Sequence, residues 1–127
     1  MQPEFIDYRV TSLNINNQKT PKGEQTMRLS YTFAILEIED HKYISKCNAN
    51  LHVSSSETEE EPAPFFIAIE MQGIFKYDEP VDDLDELSKV CAKEMVPFIR
   101  AHIASAAASI GVPSIIVPSK LMLEAMK

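Results

Sequence analysis

The sequence predicts an α+β fold: a four-stranded antiparallel sheet, then a long Pro-kinked helix, then a short C-terminal helix. Three observations carry that expectation. Four stretches alternate apolar and polar residues with the period of two that a half-buried strand requires. Helical spacing of apolar residues begins only after the fourth. Gly111, Pro113 and Pro118 then set off a last amphipathic segment. Strands first and helices afterwards imply helix packed on one face of an antiparallel sheet. The 127 residues suit one domain, 1–127.

The first strand is expected over residues 5–15. Tyr8 and Val10 share one parity and Leu13 and Ile15 the other, which places a bulge near Thr11-Ser12. Polar residues with Pro21 and Gly23 make residues 16–23 a loop. Residues 25–38 alternate most clearly, with Met27, Leu29, Tyr31, Phe33 and Ile35 on one face. Glu39-Asp40-His41 forms a tight turn into a third strand carrying Tyr43, Cys47, Leu51 and Val53. Residues 54–62 are an acidic, solvated loop. The fourth strand carries Phe65, Ile67, Ile69 and Met71 and runs to Gly73-Ile74-Phe75.

Asp78, Glu79, Pro80, Asp82 and Asp83 precede the next apolar run, the signature of a helix start. Leu84, Leu87, Cys91, Met95 and Phe98 form one stripe; Ile99, Ile103, Ala106 and Ile110 form a second. Pro97 has no amide hydrogen to give and is expected to kink or split this helix. The alanines after it leave a slim rod, apolar around too much of its girth for a lone two-layer domain. An oligomer follows, with helices held between the sheets of different subunits. Its seam is expected at Phe98, Ile99, His102, Ile103, Ala106 and Ile110.

Composition excludes several classes of function. The net charge of -7 argues against nucleic acid as a partner, since phosphate binding needs clustered Lys and Arg. Cys47 and Cys91 lie far apart and fit buried thiols in a reducing cytoplasm. The start of the chain has no signal-peptide pattern, and no apolar run is long enough to insert in a membrane. His41, His52 and His102 have no metal-binding spacing, and neither cysteine has a base paired to it by spacing. No phosphate-cradling glycine motif occurs. No catalytic residue, metal or cofactor is therefore expected. Arg100, the one basic residue within the apolar helix, is expected in an ion pair or a helix-end contact.

Three short motifs fall in a familiar order. Met71-Gln72-Gly73-Ile74-Phe75 resembles a Gly-(Ile/Leu)-Phe strand end. Met95-Val96-Pro97-Phe98-Ile99-Arg100 resembles a Leu-Phe-Pro-Tyr-Ala-Arg helix motif. Gly111-Val112-Pro113 followed by Ile116-Val117-Pro118 resembles a Gly-x-Pro and Leu-x-Pro link. Together, over about sixty residues, they resemble the bacterial export chaperones of the SecB family; the earlier part of the chain matches in strand order and alternation.

The resemblance implies a non-enzymatic, ATP-independent holdase, a homotetramer built as a dimer of dimers. It implies that unfolded polypeptides, among them preproteins for export, bind in long apolar grooves. Carried over by position, the groove residues are Val112, Ile115, Ile116 and Val117 in the link and Leu121, Met122, Ala125 and Met126 in the last helix. Methionine suits such a groove because its unbranched, polarizable side chain adapts to varied partners. The chain departs from the family in a short polar crossover loop, residues 16–23, and in ending at Lys127, before a tail that in the family contacts the motor SecA. A SecA-like motor is accordingly a weaker expectation than client binding. A chaperone dedicated to one client, such as an antitoxin, is an alternative, as is a bare oligomerisation or adaptor domain. The link and last helix would in that case be core or subunit seam. A remote alternative is a hot-dog-type acyl-thioester hydrolase, a fold that places its long helix between strands, whereas here the long helix follows every expected strand.

Overall fold

A computed structural model describes residues 2–18, 26–54, 65–112 and 115–126. Six elements follow in order: β1 (Glu4–Asn17), β2 (Thr26–Glu39), β3 (Lys42–Ser54), β4 (Phe65–Lys76), α1 (Leu84–Ser109) and α2 (Ser119–Ala125). Most of the loop after β1 and of the acidic stretch after β3 lies outside the described residues, as do Pro113, Ser114 and Lys127.

The four strands form one antiparallel sheet in the order β1-β4-β3-β2. The predicted alternation sets its two faces. Tyr43, Cys47, Leu51 and Val53 of β3 and Phe65, Ile67, Ile69, Met71 and Phe75 of β4 are buried on the helix side. The β2–β3 turn passes through His41, whose φ of 65° lies in the left-handed region. In β1 the register slips between Val10 and Ser12, the bulge read from the parity change, and again between Phe5 and Asp7. The two extra residues keep Phe5, Tyr8 and Ile15 on the core side despite their irregular spacing.

α1 opens at Asp83, whose carboxylate accepts from the amides of Asp85 (3.0 Å) and Glu86 (3.3 Å). That is an N-cap, satisfying donors the first turn leaves free. The helix then runs for 26 residues as one piece. Pro97 does not split it, although a break there was one expectation. Pro97 is exposed, while Met95, Val96, Ile99 and Ile103 around it are buried. The packing on both sides of the proline outweighs the lost hydrogen bond.

Gly111 closes α1 with a φ of 83°; its amide donates to Ala108 (3.1 Å) and that of Val112 donates to Ala107 (2.9 Å). This is a Schellman close, and Val112 is the buried apolar residue that accompanies it.

Close approach of α1 to the sheet depends on Gly73. A methyl there would sit 2.5 Å from the Met95 sulfur and 2.9 Å from the Phe75 ring. Across the sheet Tyr8 pairs with Gly73, and the Tyr8 hydroxyl lies 3.1 Å from His102 Nε2 on α1. Phe5, Tyr8, Phe75 and Phe98 pack as rings around this point. On the same face, at the opposite edge of the sheet, the Tyr31 hydroxyl of β2 donates to the Ala92 carbonyl (2.8 Å). α1 therefore crosses the strands, from β2 at its start to β1 near Phe98 and His102.

Candidate functional site

Residues 115–118 lead into α2. Ile115 and Val117 are buried, whereas Ile116 between them is 64% exposed. Burial that alternates in this way puts neighbouring side chains on opposite sides, with Ile116 facing out. The Arg100 Nε–H donates to the Val117 carbonyl and pins the link just before Pro118 begins the last helix. That is the contact Arg100 makes, between the long helix and the start of the short one.

α2 has seven residues and no side-chain cap at its start. Such a helix has little stability of its own and must be held by packing. Met122 supplies that hold and is completely buried. At roughly 100° per residue, Leu123 and Met126 fall on one flank of Met122 and Leu121 and Ala125 on the other. Leu123 is 42% exposed, and Leu121, Ala125 and Met126 are half-buried.

Grooves open on both flanks. On one, a cavity of about 250 Å³ is lined by Leu123 and Met126 of α2 and by Lys89 and Lys93 of α1. A second cavity, about 390 Å³, lies between α1 and the edge of the sheet, lined by Phe33, Ile35, Leu84, Ser88 and again Lys89. Lys89 lines both, so the two cavities are neighbours along α1. On the opposite flank a cavity of about 380 Å³ is lined by Met27, Pro118, Leu121 and the ends of Lys120 and Glu124. α2 is thus an apolar ridge with an open channel on each side.

The eight groove positions divide into two sets. Val112, Ile115, Val117 and Met122 are sealed in the protomer and form the floor that holds link and helix in place. Ile116, Leu121, Ala125 and Met126 keep accessible surface. Leu123, Lys89, Lys93 and Met27 line the channels without having been singled out from sequence. Leu123 had a signal: apolar residues at 121, 122, 123, 125 and 126 spread over more of the helix than one buried face can take.

The six seam positions divide in the same way. Ile99, Ile103 and Ala106 are buried within the protomer. Phe98 and His102 are half-covered by the aromatic residues of β1, and Ile110 is exposed. More apolar surface lies on β1 itself: Val10 (37% exposed) and Leu13 (48%) pair with the buried Met71 and Ile69. They lie on the core face of the sheet, at its edge, where no described element covers them fully.

Among the described residues no group of three or more His, Cys, Asp or Glu is placed to hold a metal ion, and no helix is long and apolar enough to cross a membrane. Both thiols are free and buried. A pocket of about 270 Å³ at the start of α1, between Tyr77, Pro80, Val81 and Leu87, has Asp83 and Glu86 on its rim; Asp83 is already committed to the cap.

No protein-family model and no curated protein matches the chain. Among solved structures it is similar to a SecB-like chaperone of Mycobacterium tuberculosis, solved in complex with a ChAD peptide from an antitoxin. The TM-score is 0.70 at 15% identity, covering 92% of this chain and 89% of the other. The fold is SecB-like: a four-stranded antiparallel sheet, a long helix and a short C-terminal helix.

Proposed function

We propose that this protein is an ATP-independent holdase that captures non-native polypeptide along the channels beside α2. The observation that carries the proposal is the apolar ridge of Leu121, Leu123 and Met126, set between two open channels on a SecB-like fold, with the exposed Ile116 in the link before it. A soluble domain gains nothing from leaving such a ridge uncovered unless something else covers it. Each Leu or Ile side chain buried against it yields roughly 1.5–3 kcal/mol. Client ordering offsets much of that gain, so capture is fast and reversible. Val112, Ile115, Val117 and Met122 hold the ridge in shape, and Ala125 lets a client backbone approach closely.

We propose self-assembly as a dimer of dimers, joined along β1 and the later half of α1. A helix of 26 residues is about 39 Å long, against roughly 15–20 Å for the width of four strands. It outruns its own sheet, and its far half presents the slim, exposed Ala101, Ser105 and Ala108 beside Ile110. Val10 and Leu13 continue that surface on β1.

A narrower reading is favoured by one observation: the similar mycobacterial protein was solved with an antitoxin peptide. A single dedicated client suits this chain as well as the general export role.

The test is suppression of aggregation of a chemically denatured protein, with the oligomeric state measured by light scattering in the same buffer. Leu123→Asp and Ile116→Asp are expected to abolish suppression while leaving the unfolding midpoint unchanged. Full suppression by both variants would remove the ridge as the capture surface. A monomer at micromolar concentration would remove the assembly.

A further inference from the structure

We infer that the channel between α1 and α2 selects client segments in which an apolar side chain stands beside carboxylates. This rests on the holdase reading and adds a sequence preference to it. The chain as a whole repels acidic partners, with 19 acidic residues against 12 basic ones. Yet Lys89 and Lys93, one helical turn apart, both line the cavity whose opposite wall is Leu123 and Met126. Both are exposed, and neither forms an ion pair with a described residue. Lys89 also borders the adjoining cavity, which mixes Phe33, Ile35 and Leu84 with Asp85 and Ser88. Asp85 lines that second cavity together with Lys89, one turn before it, whereas the cavity facing α2 has Lys89 and Lys93 and no carboxylate in its lining.

An extended segment lying in this trough buries its apolar side chains against Leu123 and Met126. It then meets two cations along the α1 wall. Carboxylates in alternation with apolar residues match that arrangement. Ammonium groups would be repelled, and neutral amides would gain no charge attraction. The attraction works at an exposed rim, so it is modest and salt-sensitive.

The experiment uses the full chain in its native assembly and three fluorescent, unstructured peptides. They share the same leucines and differ only in having Asp, Asn or Lys between them. Affinity is read by anisotropy at low and at high sodium chloride. The Asp peptide is expected to bind about threefold to tenfold more tightly than the Asn peptide at low salt, with the gap closing at high salt. Lys89→Glu/Lys93→Glu is expected to reverse the order of the Asp and Lys peptides. Equal affinity for the Asp and Asn peptides would overturn the preference and leave the holdase standing. Failure of all three peptides to bind would overturn both. An Asp preference that survives the double substitution would place the recognition elsewhere. Self-association lost in the double variant would assign the channel to a second copy of the chain and overturn the proposal.

Discussion

Arg100 reaches across from the long helix to the carbonyl of Val117, and the link is fixed there. The contact sits at the end of a run of three consecutive apolar residues that face alternately in and out. With Val117 held, Ile115 turns inward and Ile116 turns out. A hydrogen bond from a charged donor is worth roughly 1.5–3 kcal/mol. Arg100→Ala is expected to lower stability by about that amount in urea titration and to weaken client capture. Arg100→Lys keeps the charge but lacks the Nε–H, and is expected to recover less than half of the loss.

Met122 and Leu123 are adjacent in sequence and opposite in role. Met122→Ala empties a fully buried site, a change that costs about 2–5 kcal/mol in a core. α2 has no cap and one deep anchor, so the helix is expected to lift off before the sheet unfolds. Amide exchange across 119–125 should accelerate at least about tenfold while β3 and β4 keep their protection. Leu123→Ser is expected to change stability by less than about 0.5 kcal/mol. Equal acceleration in both variants would contradict the anchor assigned to Met122.

Gly73 sets the distance between helix and sheet. The methyl of Gly73→Ala would meet the Met95 sulfur and the Phe75 ring, both in a packed interior. Overpacking of this kind costs about 1–3 kcal/mol. Met95→Ala in the same chain should restore part of the loss by making room. A thermal melt of the two single variants and the double variant checks it, and strict additivity would show that the contact is not the cause.

Alkaline pH should weaken the fold through its buried acids. Burial pushes the Cys91 thiol up from the ordinary value of 9.0 to about 12, and Cys47 and Tyr31 are raised as well, chiefly by burial. Unfolding returns each group to its ordinary value. Above about pH 9 the unfolded chain therefore binds fewer protons than the folded one, and stability falls as pH rises. Below that value these groups contribute the same stability at every pH. Cys91→Ala is expected to shrink the difference in urea midpoint between about pH 8 and about pH 10. An unchanged difference would assign the alkaline loss to other groups.

Much of the fold was legible because side-chain type and position agree in it. β2, β3 and β4 alternate, and the apolar residues read as one face in each pack against the helix, while Leu36 and Ile38 stay exposed. The bulge at Thr11 showed as a change of parity. The one after Phe5 did not, since Phe5 and Ile6 are both apolar and fit either parity. The site was harder for the same reason. Ile115, Ile116 and Val117 are chemically alike, so only the path of the backbone separates the outward residue from the buried ones. Lys89 and Lys93 lie some thirty positions before Leu123 and Met126, and nothing local connects them. Their meeting depends on α2 docking alongside α1, a long-range event that periodicity does not encode.

The two slips of register in β1 carry one further consequence. Each inserts an unpaired residue, so this border strand offers a short, bent ladder in place of a long straight one. A second molecule can match such a contour once, in one alignment. Endless stacking needs an identical straight template at every step, and amyloid growth at this margin is starved of it. The proposed holdase would work beside sticky, half-made chains, and a crooked border would keep it from joining them.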